Sequence, residues 1–237
     1  VRFLVRNGPV SLQNRWEQNR GYSVFTLATN IAASLAAADF ADEANEPDLA
    51  VFLRETADCW NSQIEDWTYV RDTDLARRVG VEGYYIRIAP DDLLEHQGPA
   101  GCIVKINNHP GGSQDFPASE IVSVDALALV RFGLRAANDP RILNTVKVID
   151  AMLKTETATG PVWHRYTHDG YGETEDGGPF ESAGIGRGWP LLGGERAHYE
   201  IAAGNTEEAK RLLGVMGAQT SPGGMIPEQV WDAEDIP

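Results

Sequence analysis

Two glutamates, each close to a tryptophan, carry the first chemical signal in this chain. Glu17 lies in Arg15-Trp16-Glu17-Gln18, and Glu228 follows Pro227 and precedes Trp231 and Asp232. An apolar neighbour disfavours the charged form of a carboxyl, so Glu17 beside Trp16 is a candidate general acid. A surface glutamate near a helix N-terminus fits the same local residues. Glu228 reads equally as catalytic machinery or as part of a structured turn.

Between these two segments runs Trp163 to Glu200, crowded with glycine, aromatic and charged residues. Such a stretch is too polar for a core and too aromatic for a linker, so it reads as a binding surface. Arg165, Asp169 and Arg187 offer planar or bidentate hydrogen bonds; Trp163, Tyr166, Tyr171 and Trp189 offer flat apolar faces. Four of the six tryptophans (Trp16, Trp163, Trp189, Trp231) lie in or beside the loops holding the polar candidates. Flat faces beside hydrogen-bonding forks suit a sugar ring, which has an apolar face and a rim of hydroxyls.

Competing chemistries fare worse. His164, His168, Asp169 and Glu173 match no metal-ligand spacing, and no metal site is expected there. Gly184-Ile185-Gly186-Arg187-Gly188 has no preceding strand and no following Lys-Ser/Thr, so it does not read as a phosphate loop. Glu195 and His198 stand one helical turn apart and are expected to share a structural hydrogen bond. Cys59 and Cys102 form neither a disulfide framework nor a zinc pattern. The net charge of −15 argues against nucleic acid and anionic membrane surfaces as partners. No stretch is expected to approach the ~20 apolar residues of a membrane helix.

The elements that must position these residues are mostly helices. Residues 1–6 read as a helix tail, ended by Asn7-Gly8-Pro9. Ser23 caps a helix with Val24, Leu27, Ala28, Ile31 and Leu35 on one face, running to about Ala44. Pro47 and Asp48 open the next, with a stripe of Leu49, Leu53, Ala57, Trp60, Ile64 and Trp67. Residues 68–117 break the pattern, with β-like runs at 83–88 and 102–106 that suggest a small hairpin. Helices are then expected over 120–136 (Ser119 as cap), from Asp139-Pro140, over 188–203, and from a Thr206 cap. Residues 155–184 read as one glycine-rich loop. Helices joined by short turns within pairs and by long loops between pairs fit an α/α toroid or an α-solenoid. The pattern is already under way at Val1, so a piece of a longer polypeptide is expected, and the compartment stays open.

Together the segments 7–23 (NGPVSLQNRWEQNRGYS), 164–173 (HRYTHDGYGE), 186–200 (GRGWPLLGGERAHYE) and 223–232 (GGMIPEQVWD) resemble glycoside hydrolase family 15, of the bacterial glucoamylase and glucodextranase type. They occur in the family's order and span nearly the whole chain. The resemblance implies an all-α (α/α)6 toroid with a small β-hairpin excursion, of which residues 1–237 form the second half, the N-terminal half being absent. It implies an inverting α-glucosidase acting at non-reducing ends of α-1,4 or α-1,6 glucans. Glu17 corresponds to the general acid and Glu228 to the general base. Arg165 corresponds to a sugar-binding arginine, with Trp16, Tyr166 and Trp189 shaping the pocket. Gln18 stands where the family often has a second glutamate; it keeps a hydrogen-bonding group and loses a charge. The resemblance implies no required cofactor; calcium is compatible with the family, and no local motif here demands it. The expected partners are an α-glucan or oligosaccharide substrate and the rest of the parent polypeptide. A non-catalytic carbohydrate-binding or regulatory module on the same barrel is the alternative, and a helical scaffold without a sugar role is a third.

Overall fold

The computed structural model describes residues 1–93, 95–96 and 98–234. Among them are eight α-helices: α1 Arg2–Asn7, α2 Val24–Glu43, α3 Pro47–Thr68, α4 Asp74–Val79, α5 Leu127–Arg131, α6 Pro140–Leu153, α7 Pro190–Ala202 and α8 Thr206–Ala218. Eight short strands form four separate antiparallel pairs: β1 (Tyr22–Ser23) with β4 (Ile88–Ala89), β2 (Tyr69–Arg71) with β3 (Gly83–Tyr85), β5 (Ile103–Lys105) with β6 (Asp115–Pro117), and β7 (Lys154–Thr157) with β8 (Gly160–Trp163). The single hairpin expected for 68–117 is thus replaced by three pairings, one of which reaches back to the loop that holds Glu17.

Helices pack as pairs, α2 on α3 and α7 on α8. The α2–α3 seam is built from small residues: Ala28, Ala38 and Ala41 meet Ala50, Leu53 and Ala57, all nearly inaccessible. Small side chains let the two helix backbones approach closely, and Ile31 and Ile64 complete the main core at the same seam. Truncating a core isoleucine such as Ile64 to alanine would cost about 2–5 kcal/mol. Over an 18-residue window α2 has mean hydropathy 1.4, long and apolar enough to span a membrane by composition, which corrects the expectation that no stretch approaches that length. A core helix meets the same test, and here α2 packs on α3 and α5.

Several expected boundaries shift for identifiable reasons. Ser23 caps α2 by accepting from the Thr26 N–H, and Asp139 caps α6 through the Arg141 N–H. Ser119 caps nothing long: residues 121–123 are held extended by Arg87 and Thr167, so α5 begins only at Leu127, after a tight turn capped by Ser123. Thr206 is the first residue of α8, not its cap; Asn205 holds that position without a side-chain bond. On α3 the buried first-turn residue is Ala50, whereas Leu49 faces solvent. The expected loop from 155 contains the β7–β8 hairpin, and α7 starts at Pro190.

Apolar side chains on outer faces remain uncovered. Phe3, Phe40, Leu213 and Ile201 are 66%, 69%, 66% and 59% exposed.

Candidate active site

The loop holding Glu17 is closed at its stem and bent at its tip. At the stem, Ser11 and Gly21 exchange two backbone hydrogen bonds of 3.0 Å. Gly21 must be glycine: its φ is +150°, and a Cβ would lie 2.1 Å from the carbonyl oxygen of Ala89. At the tip, the buried Asn14 side chain accepts from the N–H of Trp16 at 2.9 Å and of Gln18 at 3.4 Å. Asn14 also exchanges backbone bonds with Gln18 and Glu17. Glu17 and Asn19 take left-handed conformations, with φ of +59° and +42°. Glu17 leaves the tight turn with its side chain exposed.

Arg15, just before it, turns the other way. It pairs with Asp125 at 2.9 Å and with Glu195 at 2.6 Å, and its guanidinium lies against the rings of Trp16 and Phe25. Burial pulls the Arg15 pKa down, but the two carboxylates outweigh it and hold the guanidinium above its ordinary value. Glu195 therefore bonds Arg15 across 180 positions rather than His198 on its own helix.

Trp16 meets Trp189 edge-on with centroids 5.1 Å apart, and Tyr171 lies 6.2 Å from Trp189. These rings enclose the guanidinium of Arg165, which is 4.6 Å from Tyr171, 5.1 Å from Trp16 and 5.3 Å from Trp189. Arg165 is buried and bidentate on Asp169, with Nε–Oδ2 and Nη2–Oδ1 both 2.7 Å, which leaves Nη1 unpaired among the described residues. Burial lowers the Arg165 pKa, and the bonds from Asp169 more than restore it. Asp169 in turn accepts from Asn108 and the Tyr171 N–H, which fixes the whole turn.

Tyr166 lies behind this wall, fully buried. Its hydroxyl donates to Gln18 Oε1 at 2.5 Å, and its ring carries the guanidinium of Arg87 at 4.0 Å. Gln18 is thus engaged through its oxygen by Tyr166 and by Arg87 Nη1, at 3.3 Å.

The loop holding Glu228 joins the same wall at Tyr171 and Gly188. Gln229 Nε2 donates to the Tyr171 carbonyl at 3.0 Å, and the Val230 N–H to the Gly188 carbonyl at 2.9 Å. Asp232 is the latch: it accepts from the Gly188 N–H at 2.9 Å and pairs with His164 at 2.8 Å and Arg187 at 3.3 Å. Burial alone would raise the Asp232 pKa, but His164, Arg187 and the Gly188 N–H together hold it below the usual carboxylate range. Arg187 stacks on Trp231 at 4.0 Å. Glu228 is exposed and lines a cavity of about 370 Å³ with Tyr171, Phe180 and Gln229.

The glycines of 170–188 serve packing. A Cβ on Gly172 would sit 2.1 Å from the Ile185 oxygen, on Gly184 2.1 Å from the Gly172 oxygen, and on Gly188 2.2 Å from Val162 Cγ2. The four residues weighed as metal ligands separate: Asp169 goes to Arg165, His164 to Asp232 and Thr155, His168 stacks on Phe116, and Glu173 is exposed. Among the described residues no group of three His, Cys, Asp or Glu side chains could hold a metal. The sequence reading missed Asn14, Asp125 and Arg87. Arg87 left a signal, a lone cation inside the apolar run 84–88 (YYIRI).

Paired helices whose long loops converge on one aromatic wall define the chain as part of a six-hairpin (α/α)6 toroid. It superposes on the crystal structure of a bacterial glucoamylase complexed with acarbose with TM-score 0.87 and 41% identity, over 98% of this chain and 32% of that one. A glycosidase structure 19% identical shares the fold, with TM-score 0.63 over 96% of this chain and 47% of that one. A glucoamylase from Clostridium sp. (strain G0005) is 40% identical over 237 residues, 99% of this chain and 32% of that protein. The model of the family "Glycosyl hydrolases family 15" matches residues 1–235. The chain belongs to glycosyl hydrolases family 15. It spans about a third of the length of the glucoamylases it matches.

Proposed function

We propose that this chain forms part of an inverting, exo-acting α-glucosidase that releases glucose from non-reducing ends of α-1,4 or α-1,6 glucans. One observation carries the reading: the loops of Glu17 and Glu228 attach to a single aromatic wall, the first through Trp16 on Trp189 and the second through Tyr171 and Gly188, and both glutamates are exposed. In inversion one carboxylic acid protonates the leaving oxygen while a carboxylate across the ring takes a proton from the attacking water, the two typically ~6.5–9.5 Å apart. Glu17 is the acid and Glu228 the base. The product is β-glucose.

Trp16, Trp189 and Tyr171 supply flat faces for the sugar ring, and Arg165 Nη1 is the donor left for a hydroxyl. Tyr166 acts from behind the wall by fixing Gln18 through its oxygen, which leaves the amide nitrogen as a donor for the leaving-group sugar. Similarity to a glucoamylase crystallised with acarbose supports an oligosaccharide substrate. An acid that stays protonated needs apolar cover. In this reading the N-terminal half of the barrel, on the parent polypeptide, covers the exposed Glu17 and the bare helix faces.

The test uses the full polypeptide that carries this chain. Glucose release from maltooligosaccharides and isomaltooligosaccharides is followed by NMR, comparing wild type with Glu17→Gln and Glu228→Gln. Initial β-anomer and a loss of ~10²–10⁴-fold for each variant support the assignment. An α-anomer or unchanged rates sink it. Sugar binding without turnover by the wild type would favour a non-catalytic module instead.

A further inference from the structure

Arg87 is among the largest fully buried side chains in the molecule, and among the described residues it forms no salt bridge. Burying a guanidinium carries a desolvation penalty, and an arginine that only filled space could be replaced by an apolar side chain of similar volume. What Arg87 touches is specific. Nη1 donates to Gln18 Oε1 at 3.3 Å and Nη2 donates to Asn19 Oδ1, so the fork holds the two residues that directly follow Glu17. Tyr166 supports the guanidinium from below and bonds the same Gln18 oxygen. The Arg87 backbone is itself tied down, its N–H donating to the Ile121 carbonyl at 2.9 Å between β3 and β4.

The loop needs such a hold. Glu17 and Asn19 both have positive φ, which a non-glycine residue keeps only where its surroundings impose it. Asn14 restrains the loop on the Trp16 side. On the far side the side-chain restraints are Arg87, Tyr166 and the Asn19 bond to the Lys105 carbonyl. A planar fork can hold two carbonyl oxygens at once, which a lysine ammonium on a flexible stem cannot do with the same geometry.

We propose that Arg87 is a positioning residue for the catalytic acid: by gripping the side-chain oxygens of Gln18 and Asn19 it fixes the left-handed turn that aims Glu17 at the glycosidic oxygen. This rests on the reading of Glu17 as the acid. In that reaction the C1–O bond breaks as the Glu17 proton passes to the departing oxygen, and water, losing its proton to Glu228, forms the new C1–O bond. With α-glucosyl fluoride the C1–F bond breaks instead and fluoride departs without acid assistance. A misaimed acid should therefore harm the glucan and spare the fluoride, whereas a damaged fold should harm both.

The test measures kcat and KM on maltotetraose and on α-glucosyl fluoride for the full polypeptide carrying this chain, as wild type, Glu17→Gln, Arg87→Met, Arg87→Lys and Asn19→Ala. The expected result is a fall of ~10²-fold in kcat on maltotetraose for Arg87→Met, the scale of a 1 Å misplacement. The fluoride rate and KM should change less than about threefold, with Arg87→Lys and Asn19→Ala falling between on maltotetraose. Asn19→Ala carries the test if loss of the buried arginine prevents folding. Equal losses on both substrates, or no loss on either, would overturn the proposal while a substrate-selective Glu17→Gln left the acid assignment standing. A Glu17→Gln variant that lost both activities equally would sink the acid assignment and this proposal with it.

Discussion

Replacing Arg15 with methionine removes the only charge that faces Asp125 at contact distance among the described residues. The Asp125 side chain is fully inaccessible, Arg15 Nε lies 2.9 Å from it, and Arg15 Nη1 lies 2.6 Å from Glu195. At an effective dielectric constant of about 20, each contact is worth roughly 6 kcal/mol of gross attraction. Most of that is offset by the desolvation of three ions. Removing the arginine leaves the desolvation of Asp125 unbalanced, and breaking a buried pair from one side costs about 3–5 kcal/mol. Methionine keeps the packing against Trp16 and Phe25, so the loss is electrostatic rather than steric. A loss of 3 kcal/mol lowers Tm by about 6–12 °C in a domain of 150–250 residues and by roughly half that in a cooperative unit twice the size. Thermal unfolding of the full polypeptide, followed by tryptophan fluorescence and circular dichroism, gives the number. Arg15→Met/Asp125→Asn should recover part of the loss, because the stranded charge is gone; contacting residues typically couple by ~0.5–3 kcal/mol. A Tm drop under 2 °C for Arg15→Met, or strictly additive effects in the pair, would refute the account.

Three further outcomes follow from the same structure. Gly172→Ala drives a Cβ to within 2.1 Å of the Ile185 oxygen, so it should destabilise by ~1–3 kcal/mol and weaken activity by displacing Tyr171 and Gln229; Gly214→Ala, with open space in α8, should be neutral or stabilise by ~0.5–1 kcal/mol in the same melts. Asp232 has a lowered native pKa, so its contribution is complete above the ordinary carboxylate value of ~3.9 and is lost as pH falls through the native value; the Tm gap between wild type and Asp232→Asn should be constant near neutrality and close below about pH 4. Expressed alone, residues 1–237 should bind a hydrophobic dye, since Phe40 and Leu213 are 69% and 66% exposed; a monodisperse chain without dye binding would contradict the picture of bare helix faces.

Local chemistry was legible where a residue acts on its own neighbours. Ser23 and Asp139 announce α2 and α6 because a cap reaches only two or three positions ahead. The same reasoning misplaced caps at Ser119 and Thr206, since long-range bonds to Arg87 and Thr167 decide residues 121–123 and the Asn205 turn starts α8 one residue early. The wall was partly legible: Trp16, Trp189 and Arg165 do gather. That Arg165 would spend its fork on Asp169 was not, although the two stand four apart, because the sequence offered both as ligands for a sugar. Arg15 and Arg87 were out of reach for a plainer reason. Their partners lie 180 positions away in Glu195, and 69 and 68 positions away in Gln18 and Asn19. No pattern of neighbours encodes such a pairing.

The separation of the two glutamates has a consequence for how the protein is made. Glu17 and Glu228 stand 211 positions apart (228 − 17), and the wall between them draws on residues 16, 165, 171 and 189. At a synthesis rate of ~5–20 residues per second, the Glu228 loop leaves the ribosome about 10–40 s after the Glu17 loop. Through most of that interval the early loop waits for Tyr166 and Trp189, so its tip cannot settle while the chain is growing. The wall is among the last parts of this chain to be assembled, and a ribosome stalled before residue 165 would hold a nascent chain with its helical hairpins under way and the wall unbuilt.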